Sequence, residues 1–160
     1  MPTVLIADDD ADHRELITLA LTKLGHAVVQ AVDAGSALLA LDAGGIDAVL
    51  LDVRMPGMSG IELCRRLRGS PATADLPIML VSADVNGHRV MAAMEAGADD
   101  YLTKPYHRAE LGTRLESLLT RRGAPARRPA TAAHAALLAA RAVRPAAGPA
   151  PIERPVRRTA

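Results

Sequence analysis

The chain has 160 residues, room for one ordinary domain and an appendage, and its 49% hydrophobic content includes no Phe, no Trp and two Tyr, so its core is aliphatic. No apolar stretch reaches the ~18 residues of a membrane span, the N-terminus turns acidic at Asp8 instead of forming a basic, apolar signal peptide, and the lone Cys64 excludes an internal disulfide, in keeping with a reducing cytoplasm. The formal net charge of +1 hides a split: residues 1–120 carry 10 Lys+Arg against 17 Asp+Glu, whereas residues 121–160 carry 9 Arg against one Glu.

Taken in order, Thr3-Val4-Leu5-Ile6-Ala7 predicts a first strand ending on Asp8-Asp9-Asp10. Leu16 to Leu24 recur at helical spacing up to Gly25, with Asp12 and Glu15 spaced as a capping box. Ala27 to Ala31 predicts a second strand, and Ser36 to Leu41 a short helix closed by Gly44-Gly45. Ala48-Val49-Leu50-Leu51 is an unbroken apolar run that ends on Asp52 and a Pro/Gly-rich turn, which predicts a strand buried on both faces. Ile61 to Leu67 predicts a third helix, with Cys64 half in the core. Pro77 to Ala83 predicts a fourth strand bearing Ser82, Val90 to Ala96 a helix, and Asp100 to Pro105 a fifth strand ending on Lys104. Leu111, Leu115, Leu118 and Leu119 mark a last amphipathic helix finishing near Arg121-Arg122. Five β-α units joined by right-handed crossovers give a doubly wound, five-stranded parallel α/β sheet with helices on both faces.

From Gly123 onward Pro punctuates Ala and Arg with few large apolar residues, so residues 123–160 are expected to be a disordered basic tail. Thr131 to Val143 is the Pro-free exception and suits a marginal helix. Nine arginines without interleaved aromatics allow salt-sensitive, non-specific contact with nucleic acid, an anionic membrane or the acidic domain itself, but no stacking on bases.

Three strand ends therefore converge on Asp8, Asp9, Asp52 and Lys104, with Ser82 beside them. Carboxylates crowded into one cleft repel unless a cation sits among them, and an all-oxygen set suits Mg²⁺. With a lysine and a hydroxyl added, the cleft fits a phosphoryl group, Asp52 being placed to become an aspartyl phosphate.

The segments Leu5-Ile6-Ala7-Asp8-Asp9-Asp10, Leu50-Leu51-Asp52-Val53-Arg54-Met55-Pro56-Gly57, Leu80-Val81-Ser82-Ala83 and Ala96 to Tyr106, in this order, resemble the receiver domain of bacterial two-component response regulators over residues 3 to about 122. The resemblance implies the flavodoxin-like receiver fold for a domain of residues 1–122. It implies Asp52 as phosphoacceptor, charged by a sensor histidine kinase or phosphotransfer protein, and Mg²⁺ held by Asp8, Asp9, Asp52 and the backbone carbonyl of Arg54. It implies Lys104 as the phosphate-pairing lysine before a cis peptide bond, and Ser82 with Tyr101, whose ring follows the hydroxyl inward, as the switch pair. A downstream protein is expected to contact the fourth helix, fifth strand and fifth helix, with no DNA-binding output domain in this chain. Such a protein is a cytoplasmic signalling phosphoprotein rather than an enzyme of metabolism.

Asp10 and Asp12 are expected to be helix caps, and the five His (13, 26, 88, 107, 134) to lie on the surface. Tyr106 stands where this family usually has Phe, and Arg54 and Asp84 occupy its two variable positions, which tune aspartyl-phosphate lifetime; a salt bridge between them across the cleft is one candidate way to restrict attacking water. Two rivals are a phosphohydrolase with Asp8 as nucleophile, which leaves Asp52 without a task, and a pseudo-receiver that binds partners without phosphorylation.

Overall fold

Each apolar, β-branched run becomes a strand and each amphipathic stretch after it a helix. In the computed structural model, which describes residues 1–84 and 86–121, the order is β1 (Thr3–Ala7), α1 (Ala11–Lys23), β2 (Ala27–Ala31), α2 (Ala34–Asp42), β3 (Ala48–Asp52), α3 (Gly60–Arg68), β4 (Ile78–Ser82), α4 (Gly87–Glu95), β5 (Asp100–Thr103) and α5 (Arg108–Thr120). The expected tail, residues 123–160, lies outside the described residues.

All pairings are parallel and the strand order is β2-β1-β3-β4-β5. Because successive side chains on a strand point to opposite faces, each central strand feeds two cores. Val4, Ile6, Ala48, Leu50, Met79 and Val81 pack with Ile17 and Leu21 of α1 and Leu111, Leu115 and Leu118 of α5. Leu5, Val49, Leu51, Ile78, Leu80 and Tyr101 pack instead under α2, α3 and α4. β3 and β4 are buried along their whole length, as their unbroken apolar text predicts. Cys64 is buried, and desolvation pushes its thiol up to about 11, so it is an inert packing group.

The helix starts differ from the sequence expectation by a few residues, for identifiable reasons. Asp10 and not Asp12 caps α1: its backbone is extended, and its side chain accepts from the amides of Asp12 (3.0 Å) and His13 (3.3 Å), which places Asp12 inside the first turn and leaves no capping box with Glu15. α2 starts two residues earlier than Ser36, which serves as the third helical residue of a box with Asp33. α4 starts at Gly87 behind the Asn86 cap.

Two features hold opposite ends of the sheet. At the carboxyl end, Gly60 opens α3 directly against the last residue of β3: a Cβ there would meet the Asp52 carbonyl carbon at 2.8 Å and the Val53 Cα at 3.1 Å. Ser59 and Glu62 form a capping box that fixes this helix start, and the Gly60 amide donates to the Val53 carbonyl at 3.0 Å. At the other end, Arg68 donates to the carbonyls of Leu76 (2.6 Å), Ala74 (3.0 Å) and Gly97 (2.8 Å) and pairs with Asp99 Oδ2 at 2.9 Å. The same Asp99 oxygen accepts from the Ile78 amide, so one guanidinium joins the chain before β4 to the turn before β5.

Replacing Gly60 by Ala is expected to lower unfolding stability by at least about 2 kcal/mol, because neither clashing group is a side chain that can turn away. Gly57→Ala, at φ +78° with open space around it, should lose only about 1 kcal/mol. Urea denaturation of both variants checks the order; equal midpoints would show that α3 shifts freely off β3.

Candidate functional site

Strand order β2-β1-β3 reverses the direction of winding between β1 and β3, and the crevice beyond their carboxyl ends is where open α/β sheets bind ligands. β1 delivers Asp8 to that crevice, and β3, paired to β1 with Ala7 opposite Leu51, delivers Asp52 one residue further on. Both carboxylates are buried, whereas Asp9 is exposed at the rim. One carboxylate oxygen from each of Asp8, Asp9 and Asp52 lies within 4.8 Å of the others. Lys104, following β5, reaches across with Nζ 3.5 Å from Asp52 Oδ2 and 3.7 Å from Asp8 Oδ2. Its backbone is tied to β4 by donation of its amide to the Ser82 carbonyl at 2.8 Å, and the Lys104–Pro105 bond is cis, as expected.

The two central acids have unequal surroundings. Asp8 Oδ1 accepts from the Asp10 amide at 2.9 Å, Oδ2 is bonded by His13 Nδ1, and the Asp8 carbonyl accepts from Arg14 at 2.7 Å. Burial raises its carboxyl, but His13, the Asp10 amide and Lys104 outweigh burial and hold it below the usual carboxylate range. Asp52 has the Arg54 amide on Oδ1, at 3.2 Å, and Lys104 beside Oδ2. Burial, reinforced by the Asp8 charge, pushes the Asp52 carboxyl up despite Lys104. Asp8 therefore holds its charge and Asp52 carries the strain of their proximity. The three-carboxylate, all-oxygen donor set with a strained member at its centre fits a hard divalent cation.

Ser82 and Tyr101 lie on neighbouring strands, with Leu80 opposite Tyr101 and Ser82 opposite Thr103. Both engage the Asp84 backbone: Ser82 Oγ accepts its amide at 3.1 Å, and the Tyr101 hydroxyl donates to its carbonyl at 2.8 Å. The Tyr101 ring is already inside, 1% exposed, and burial pushes its phenol up.

Two expectations need correction. The Arg54–Asp84 salt bridge does not form: Asp84 Oδ2 meets Arg89 Nε at 3.6 Å, because the first turn of α4 lies nearer, and Arg54 is exposed. His13 is not a surface residue. The cap at Asp10 turns the first turn of α1 over the acidic cluster, so its ring bonds Asp8 through Nδ1 and the Tyr106 hydroxyl through Nε2 at 2.7 Å, and stands edge-on to the Tyr106 ring. His134 lies outside the described residues. The one sequence signal for this pair was the Tyr in a usual Phe position, whose added hydroxyl needs a partner when buried.

A family model described as the response regulator receiver domain matches residues 4–116. The phosphate regulon transcriptional regulatory protein PhoB of Pseudomonas aeruginosa is 40% identical over 121 residues, covering 76% of this chain and 53% of that protein. The transcriptional regulatory protein TcrA of Mycobacterium tuberculosis is 41% identical over 128 residues, covering 80% and 49%. The chain thus spans about half the length of the curated relatives it matches. Among solved structures, a putative response regulator from Chloroflexus aurantiacus superposes with a TM-score of 0.73 at 38% identity, over 76% of this chain and 100% of that one. The chemotaxis protein CheY4 of Vibrio cholerae does so with a TM-score of 0.71 at 26% identity, over 74% and 98%. With the strand order, the acidic crevice and these matches in agreement, the chain belongs to the response regulator receiver domain family.

Proposed function

We propose that this receiver works by phosphorylation of Asp52, the phosphoryl group coming from the phosphohistidine of a sensor histidine kinase or phosphotransfer protein in the cytoplasm. The observation that carries the reading is the Asp52 carboxylate itself. It stands at the end of β3 with one oxygen next to Lys104 Nζ at 3.5 Å and lies within ligand reach of Asp8 and Asp9. An Asp52 oxygen attacks phosphorus, a P–O bond forms, the P–N bond to imidazole breaks, and the imidazole leaves with that electron pair. Lys104 sits where an ammonium meets the phosphoryl oxygens. Asp8, Asp9, Asp52 and the Arg54 carbonyl are the groups for Mg²⁺. A bound Mg²⁺ supplies neutralisation of the charge gathered on the transferring group.

Ser82 is the hydroxyl placed to turn from the Asp84 amide toward a phosphoryl oxygen. Tyr101, held by the Asp84 carbonyl, reads that exchange because both residues share one peptide segment. Phosphorylation then shifts populations between two packings of the segment leading into α4, with the inward ring seen here as one of them. The readout is a protein partner on the face formed by α4, β5 and α5. Among the described residues no helix is long and apolar enough to cross a membrane. The hydrolase reading, with Asp8 as nucleophile, is disfavoured because both of its oxygens are engaged by His13, Lys104 and the Asp10 amide.

Incubation with acetyl phosphate and Mg²⁺, read by intact mass, should add a single phosphoryl group, lost in Asp52→Asn and in EDTA. A folded wild-type chain that stays unmodified would instead support a partner-binding pseudo-receiver. Modification that survives Asp52→Asn but disappears in Asp8→Asn would move the nucleophile to Asp8.

The raised Asp52 carboxyl makes a separate, thermodynamic prediction. A carboxyl held above its unfolded value of ~3.9 binds its proton more tightly in the folded state, so its contribution to stability falls as pH rises from that value through the folded one. At neutral pH its ionised form is a net cost. Asp52→Asn should therefore be more stable than wild type at pH 7 without metal, by on the order of 1 kcal/mol. The advantage should vanish at about pH 3.5 and shrink in saturating Mg²⁺. Thermal melts across pH check it; an Asp52→Asn protein that melts below wild type at pH 7 without metal refutes the repulsion.

A further inference from the structure

His13 and Tyr106 are 93 residues apart in sequence, yet they form a side-chain path that leads from the acidic cluster to the corner where α5 begins. Geometry gives the pair a direction for a neutral ring. A carboxylate oxygen accepts, so His13 Nδ1 carries the proton of its bond to Asp8 Oδ2. In the neutral ring a proton on Nδ1 leaves Nε2 as an acceptor for the Tyr106 hydroxyl, 2.7 Å away. Burial and the Asp8 charge keep the Tyr106 phenol protonated. The ring is also steadied sideways by its edge-on contact with Tyr106, centroids 5.9 Å apart. Tyr106 follows Lys104-Pro105 directly and precedes the His107 cap of α5, so its position is set by the same turn that aims Lys104.

We propose that Tyr106 and His13 are a positioning pair for Asp8: the phenol holds the imidazole by its second nitrogen in the tautomer that faces Asp8, the imidazole orients the carboxylate for a divalent cation, and cation occupancy is thereby coupled to the start of α5. The pair deepens the function proposed above and rests on it. Neither residue touches the reacting atoms; each acts through Asp8. Such outer partners of a ligating carboxylate are worth roughly 10–100-fold in metal affinity. A Phe at position 106 would fill the same space but leave Nε2 without its hydroxyl partner.

The test is the Mg²⁺ dissociation constant of the full chain, measured by calorimetry on variants whose melting points show them folded. His13→Asn keeps a donor at the position of Nδ1 and gives up the reach to Tyr106; His13→Gln does the reverse. His13→Gln is expected to weaken Mg²⁺ binding about 10-fold or more. His13→Asn should stay within about 3-fold of wild type, and Tyr106→Phe should lose several-fold in wild type but nothing further in the His13→Asn background, because the path is already cut there. Wild-type affinity in both His13→Gln and Tyr106→Phe overturns the pair and leaves the receiver reading standing. Equal losses in His13→Asn and His13→Gln also overturn it, since the loss would then not follow the Nδ1 donor. A wild-type chain that binds no Mg²⁺ overturns the proposed function, and the pair with it.

Discussion

The molecule is arranged around a repulsion. Two buried carboxylates, Asp8 and Asp52, are brought together at the ends of adjacent parallel strands, and a parallel sheet leaves them no choice. Each strand must point the same way, so each delivers its last residue to the same edge. Lys104 and the amides of Asp10 and Arg54 offset part of the unfavourable energy, and they do so unequally, leaving Asp8 comfortable and Asp52 strained. That imbalance separates the acid held by His13 and the Asp10 amide from the acid proposed to react, which has one backbone amide and the Lys104 ammonium beside it.

The sheet and the strand-end residues were readable in the chain because two simple signals coincide there. Unbroken apolar runs specify strands buried on both faces, and a charged or hydroxyl residue that ends such a run is placed at the crevice by topology alone. Asp8, Asp52, Ser82 and Lys104 are all found this way. Tyr101 was expected to follow the Ser82 hydroxyl inward, and its ring is already inside, because a ring's position depends on the Asp84 peptide it bonds and not on strand alternation.

What was not legible lies on helix starts and long-range side-chain pairs. Asp10 and Asp12 are equally good caps by residue type, and only the backbone after β1 decides between them. That choice then places His13 over Asp8, a contact whose other half, Tyr106, is supplied from the far end of the domain. Asp84 was matched with Arg54 by position across the cleft, yet Arg89 is within the next helical turn and reaches it first. Local sequence names the groups; which neighbour captures a flexible arginine or an imidazole is a tertiary matter.

The Arg68 staple has a mechanical consequence. It clamps the turn after α4 through Gly97 and Asp99, at the edge of the sheet remote from Asp52. The segment before α4, by contrast, is joined to Ser82 and Tyr101 by single hydrogen bonds at Asp84. A rod pinned at one end and lightly tethered at the other does not slide; it swings. Gly97 is then the fulcrum and α4 the lever arm, so on the proposed switch an exchange of one hydroxyl bond at Asp84 would be delivered as an angular displacement that grows along the helix toward its amino end.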